Sequence, residues 1–304
     1  MATVTFLVHP DRPDALALAT DTATWLTERG DAARILRFSG PDRVSEAGSE
    51  HALSDVDLAG TTVAVSMGGD GTFLRVVRLA TSADVPVLGV NFGRLGYLPD
   101  LLPDQVRDAL TRVFEGKAVI EERCALEVTI ADRSVADEAS GDTDADDGTT
   151  VGDVTTLLAL NEVVIEKIDF GHTVRLTTSV DGEEALTYSA DGLIIATPTG
   201  STAYNLSAGG PILAPTLRAM VITPVAPHFS LDRSLVLTDA QRVGVAVVPD
   251  RAGVLVIDGA EIGRLQPGAT ISCAIAAHPV RVVRNEPQTF GKILRFRLLA
   301  DRST

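Results

Sequence analysis

Thr62-Val63-Ala64-Val65-Ser66-Met67-Gly68-Gly69-Asp70-Gly71-Thr72 holds a strand, a break and a helix start within eleven residues. Thr62–Met67 reads as a buried strand, Gly68-Gly69 ends it abruptly, and a helix through Phe73–Leu79 follows. Upstream, Thr3–Val8 is strand-like; Ala15, Leu18, Ala19, Thr22 and Leu26 recur at helical spacing before Gly30, and Ala33–Phe38 is a second strand. Downstream, Val85–Val90 is a buried strand and Asp104–Phe114 a helix with a proline at its start. This βαβ rhythm predicts an α/β N-terminal domain with a mostly parallel sheet covered by helices.

After Lys117 the segments shorten and become β-branched: Leu126–Ile130, Leu157–Ile165, Thr173–Val180, Leu193–Ala196, Arg242–Val248, Val254–Ile257 and Thr270–Ile275. That texture predicts a C-terminal β-rich, sandwich-like domain. The expected division is 1–118 for the first domain and 119–289 for the second, with 290–304 as a segment that returns to the first. Residues 132–153 hold many Asp, Gly, Ser and Thr with one basic residue, Arg133, and read as an acidic mobile loop open to proteolysis.

The chain has 304 residues, 45% hydrophobic and 4% aromatic, with a formal net charge of −15. A core of that size must come mainly from Val, Leu, Ile and Ala. The acidic balance argues against a nucleic-acid footprint, which needs a basic face, and against an anionic membrane surface. A polyanion must instead be held locally, by backbone amides, a metal ion and a few arginines. Lysine occurs only at Lys117, Lys167 and Lys292. Cys124 and Cys273 fit no metal or redox spacing and read as reduced, buried thiols. The N-terminus lacks a signal-peptide pattern and no apolar run reaches membrane-spanning length, so a cytoplasmic protein is expected.

The glycines of 68–72 allow φ > 0 and leave no Cβ against an incoming ligand, and the exposed amides with the positive end of the following helix make an anion site. An aspartate there repels phosphate, unless Asp70 takes a proton from a hydroxyl or reaches a phosphate-bound metal. A tight turn with Asp70 as a helix cap fits the same residues. The Walker-A, Rossmann and nucleophile-elbow patterns are missing. Arg75 lies where it reaches a phosphate or simply faces solvent. Asn161-Glu162 interrupts an apolar run, and a buried carboxylate is costly unless it faces a cleft or a bulge. From Tyr188 to Pro211 an apolar strand runs into small hydroxyl residues, a tyrosine and glycines, suited to a ribose and a ring. No histidine is placed by motif as a partner for a serine nucleophile.

Two blocks, Gly68-Gly69-Asp70-Gly71-Thr72 and Asp191-Gly192 through Thr197-Pro198-Thr199-Gly200-Ser201-Thr202-Ala203-Tyr204-Asn205-Leu206-Ser207-Ala208-Gly209-Gly210-Pro211, closely resemble the NAD kinase family, ATP- or polyphosphate-dependent. Asn91–Leu98 and Asn161-Glu162 match further blocks in the expected order. The first motif is shared with lipid and sphingosine kinases; the second is specific. The resemblance implies an active site between the two domains and an enzyme that phosphorylates the 2′-hydroxyl of the adenosine ribose of NAD, giving NADP. Asp70 is then the general base. Asp70, Gly71, Arg75, Asn161, Glu162, Asp191 and Thr202, Ala203, Tyr204, Asn205, Leu206 and Ser207 contact NAD, with Gly68, Gly69 and Thr72 in the phosphate turn. His172 and Ser189, which stand where the family often has basic residues, are carried over as NAD contacts too, and Ala260 of Asp258-Gly259-Ala260 stands where some members have a glutamine that contacts ligand. No residue is assigned as a metal ligand; Mg²⁺ comes with the donor, ATP or polyphosphate. The family also implies a homodimer or homotetramer. A lipid or sugar kinase of the same superfamily, or a non-catalytic dinucleotide sensor, are the alternatives.

Overall fold

The computed structural model describes residues 1–40, 43–46, 49–53, 56–93, 98–131, 135–136, 154–169, 171–228, 230–249, 251–287, 289–291 and 294–295. The chain forms two units, Met1–Arg123 with His278–Thr304, and Cys124–Ala277.

In the first unit, β1 (Thr3–Val8) leads to α1 (Pro13–Glu28), which starts on proline and buries Ala15, Ala19, Thr22 and Leu26 at helical spacing. Gly30, at φ +81°, stops it by taking the left-handed form. β2 (Ala32–Gly40) pairs parallel with β1 and carries a hairpin, β3 (Arg43–Glu46) and β4 (Ser49–Ala52), on its outer edge. β5 (Val63–Gly68), buried at every residue, lies parallel to β1 on the other side. It feeds α2 (Asp70–Ser82) and then the parallel strand β6 (Val87–Asn91). α3 (Val106–Phe114) and β7 (Val119–Arg123) complete the N-terminal part.

The second unit contains β8 (Leu126–Ala131), β9 (Val135–Ala136), β10 (Val154–Ala159), β11 (Glu162–Lys167), β12 (Val174–Val180), β13 (Glu183–Ala190) and β14 (Gly192–Ala196). A 3-10 turn (Gly200–Thr202) and the short helix α4 (Tyr204–Ser207) follow. Then come β15 (Ala219–Val225), β16 (Leu235–Thr238), β17 (Val243–Val247), β18 (Gly253–Ile257), β19 (Ala260–Leu265) and β20 (Thr270–Ile275). Among the described residues they form two antiparallel sheets, ordered β10-β8-β20-β17-β12-β13 and β16-β15-β14-β11-β18-β19-β9. Val128, Leu176, Val245 and Cys273 of one sheet share a core with Val163, Ile195, Ile222 and Leu255 of the other, so the pair is a sandwich. The opposite face of the second sheet buries Val164, Ile194, Ala196 and Val221 with Ala208 and Leu213.

The chain then re-enters the first unit as β21 (Val280–Arg284), inserted between β6 and β7 in the sheet β4-β3-β2-β1-β5-β6-β21-β7. The units therefore divide at Arg123 and Ala277, not at 118 and 289, because β7 and β21 pair with each other in the first sheet. Leu157–Ile165, read as one strand, is two strands in different sheets, β10 and β11. Of the acidic stretch 132–153, only Val135–Ala136 is described, paired with β19; the expected mobile loop otherwise lies outside the described residues. Most of 290–304 lies outside them too. Among the described residues no helix is long and apolar enough to cross a membrane.

Candidate active site

In the first unit the candidate residues lie at the β5–α2 junction. Gly68 closes the strand where any Cβ would collide with the Thr72 hydroxyl and Cβ, and Thr72 is buried there. Gly69 caps α2 in an extended conformation, and Phe73 N–H makes the first helical bond to its carbonyl at 3.0 Å. Asp70, Gly71 and Thr72 therefore form the opening turn of α2, and their amides lie before the first i→i−4 bond. Among the described residues the Cβ directions of Gly69 and Gly71 meet nothing within 4 Å. A helix start with unpaired amides of this kind favours an anion. None of Gly68, Gly69 and Gly71 takes a positive φ, contrary to expectation; glycine serves here to give room.

Asp70 sits on this turn, half-buried, and its Oδ1 accepts the Leu98 N–H at 3.1 Å. Leu98 lies on the segment that runs back along β6, tied there by Asn91 N–H to Leu101 C=O at 2.9 Å and Leu101 N–H to Gly89 C=O at 3.2 Å. Gly89 permits it: a Cβ would stand 2.7 Å from the Pro99 backbone. Residues 94–97 of the Asn91–Leu98 block lie outside the described residues. Arg75 turns toward β2, donating to the Gly40 carbonyl at 3.2 Å with its guanidinium 5.3 Å from the Phe38 ring centre.

In the second unit the candidate residues lie where the chain changes sheets. Between β10 and β11 the amides of Leu160, Asn161 and Glu162 all donate to the Asp258 carboxylate, at 2.9, 2.7 and 3.2 Å. Asn161-Glu162 is thus a cradled corner rather than an interruption inside a strand. The 197–202 segment locks onto it: Thr197 N–H donates to Asn161 C=O at 2.8 Å and the Thr197 hydroxyl to Leu160 C=O at 2.6 Å. Gly200 lies so close to the Asn161 carbonyl that no Cβ fits.

Glu162, 7% exposed, stands at this corner, while Asp191 lies beside the far end of β11, paired with Lys167 at 2.7 Å. Tyr204 is 37% exposed, with Glu166 near its phenol. Burial first, then the charges of Glu166, Asp191 and Glu162, push the Tyr204 phenol above its usual pKa, so it stays a neutral donor. Thr202, Ala203 and Leu206 are half-buried and Ser207 is exposed on the same short stretch. Asn205 differs from expectation. It is fully buried, donates to Ser201 C=O at 2.9 Å and Pro211 C=O at 3.1 Å, and accepts from Thr223 at 2.7 Å. Its amide holds the segment's shape. Ser189 pairs its hydroxyl with Thr173 at 2.9 Å, while His172 is exposed just before β12. Asp258, Glu166 and Lys167 escaped the sequence reading as site residues. Lys167 left a faint signal as one of few lysines; Asp258 was named only within its Asp258-Gly259-Ala260 block, and its role went unread because its partners lie almost a hundred residues away.

Backbone amides at a helix start, with a carboxylate among them, are groups that suit the handling of a phosphorylated ligand. Residues 4–118 match the model of the ATP-NAD kinase N-terminal domain and residues 160–285 that of the ATP-NAD kinase C-terminal domain. The NAD kinase of Heliobacterium modesticaldum is 36% identical over 99% of this chain and 100% of its own length. NAD kinase 1 of Streptomyces coelicolor is 35% identical over 97% of this chain and 85% of its own. The chain belongs to the NAD kinase family. Two solved structures share the fold: yeast NADH kinase complexed with NADH, with TM-score 0.78 at 21% identity, covering 100% of this chain and 89% of its own, and an NAD kinase from Archaeoglobus fulgidus in complex with ATP, with TM-score 0.66 at 23% identity, covering 99% and 98%.

Proposed function

We propose that this kinase transfers the terminal phosphoryl group of ATP to the 2′-hydroxyl of the adenosine ribose of NAD, with Asp70 as the proton acceptor. The observation that carries the reading is the placement of the Asp70 carboxylate on the opening turn of α2, one oxygen tied to the Leu98 amide, between two glycines with open approach. The bond from the Leu98 amide holds the carboxylate in a set orientation. The 2′-oxygen loses its proton to Asp70 and attacks the γ-phosphorus, and the bond to the ADP oxygen breaks. Phosphoryl transfer needs mostly positioning and charge stabilisation, so amides at a helix start suit the role. The divalent cation enters as part of the metal–nucleotide substrate and neutralises charge on the transferred group.

In the second unit we assign Asn161 and Glu162 to the ribose and base, Asp191 to the nicotinamide side, and Tyr204 to ring contact. Tyr204 suits this by being partly exposed with a neutral phenol. Arg75 as a phosphate contact would require it to leave the Gly40 carbonyl and the Phe38 ring. Gly68, Gly69, Gly71 and Thr72 are assigned to the phosphate turn. We also place the enzyme in the cytoplasm, as a homo-oligomer.

The test is Asp70→Asn, which keeps size and one acceptor and removes the base. A coupled assay for NADP is expected to show kcat lower by about 10²–10⁴-fold. NAD binding, followed by calorimetry, should persist. Near-normal turnover overturns the role of Asp70. Running the same assay with polyphosphate in place of ATP separates the two donors.

A further inference from the structure

We infer that Arg284 is a positioning residue for phosphoryl transfer, fixing the Asp70 carboxylate through the Leu98 peptide unit. This deepens the reading above and rests on Asp70 being the proton acceptor.

The path is short and lies within the first unit. Asp70 Oδ1 accepts the Leu98 N–H at 3.1 Å. The carbonyl of the same residue accepts from Arg284 Nη1 at 2.7 Å. Arg284 is 2% exposed, among the largest fully buried side chains of the protein. Its Nη2 lies 3.4 Å from Glu121 Oε1 and its Nη1 lies 3.7 Å from Asp100 Oδ2. Glu121 also holds Arg123. Two arginines and two carboxylates thus form a near-neutral buried group behind the segment that carries Leu98.

Burying such a group is costly, and apolar residues of similar volume would stabilise the sheet as well or better. A planar guanidinium adds what an apolar residue does not: a donor in fixed geometry aimed at one carbonyl. Its strand, β21, is held between β6 and β7, with Arg284 opposite Val119. The base on α2 is therefore referenced to an internal strand, next to the edge of the sheet. On its other side, Gly89 lets the Pro99 segment lie flat on β6.

The experiment measures kcat, KM for NAD and thermal melting of Arg284→Lys, alone and combined with Asp70→Ala. Lysine keeps the charge and loses the fork. The single variant is expected to lower kcat about ten- to a hundredfold, the scale of a small misplacement of a reacting group, with KM for NAD and the melting temperature little changed. In the Asp70→Ala background, which has no carboxylate to position, the same substitution should have no further effect. An equal loss in both backgrounds, a rise in KM alone, or an unchanged kcat overturns the proposal while leaving Asp70 as base. Near-normal turnover of Asp70→Ala itself overturns that reading, and this proposal with it. If Arg284→Lys does not fold, Leu98→Pro tests the link: it deletes the donor to Asp70, leaves the ionic group in place, and is expected to lower kcat about ten- to a hundredfold with no further effect on Asp70→Ala; an unchanged kcat overturns the proposal.

Discussion

At Asp258 the backbone turns with φ +49°, and Gly259 follows at +76°. That is the two-residue hairpin form joining β18 to β19, with Ile257 opposite Ala260. Asparagine or glycine would serve the turn as well as aspartate does. The carboxylate has another use, since it receives the amides of Leu160, Asn161 and Glu162. A carboxylate accepting three amides is a strong local clamp. Asp258→Ala is expected to free the corner and strain the turn, raising KM for NAD about tenfold or more, on the scale of a lost charged hydrogen-bond set. Asp258→Asn keeps the turn and an acceptor and should fall between it and the parent. Steady-state kinetics on the pair decides this, and an unchanged KM for Asp258→Ala would separate the corner from substrate binding. Ala260, the next residue but one, offers only a methyl where a glutamine was the alternative.

Between elements, the strand–glycine–helix unit of 62–82 was legible because its signals are local: an apolar run, a break, then helical periodicity. The change of sheet at 160–161 was not. Leu157 to Ile165 is apolar on both sides of the switch, and both sheets bury their residues in one core, so no change of pattern marks the point. The hairpin β3–β4 was missed because it is polar and mostly exposed, with little alternation to read. The candidate site was marked in the sequence by its blocks, while the clamps that shape them depend on contacts distant in sequence. Gly200 illustrates the packing that results. Its Cα lies against the Asn161 carbonyl, a backbone atom that cannot swing aside. Gly200→Ala should therefore push the 197–202 segment off the corner, at about 1–3 kcal/mol of overpacking. The expected result is a lower melting temperature with NAD binding weakened more than donor binding. Wild-type affinity for NAD in this variant would show that the corner and the segment need not touch.

Across the whole chain, the first unit is completed only after the second has been traversed, because β21 is an internal strand of its sheet. Val280, Val282 and Val283 are each about 1% exposed. Burying each such side chain is worth roughly 1.5–3 kcal/mol, so the strand's apolar contribution is comparable with the ~5–15 kcal/mol net stability of a domain. A chain ending at residue 277 also loses Arg284 and leaves Glu121 and Asp100 without that cation. The two units carry separate reporters. Trp25, with the Arg29 guanidinium 4.8 Å from its ring centre, lies on α1 in the first unit, while Cys124 and Cys273 are buried in the second. Complete burial pushes the Cys273 thiol up to about 12, so it should stay unreactive toward thiol reagents near neutral pH while its unit is folded. Truncation after 277 is expected to abolish the cooperative denaturant transition of Trp25 fluorescence while thiol protection persists to denaturant concentrations near those of the full chain. A truncated protein with an unaltered Trp25 transition would mean that β6 and β7 hold the sheet without the strand between them. Loss of thiol protection at the same step would mean that the sandwich draws its stability from residues 278–304.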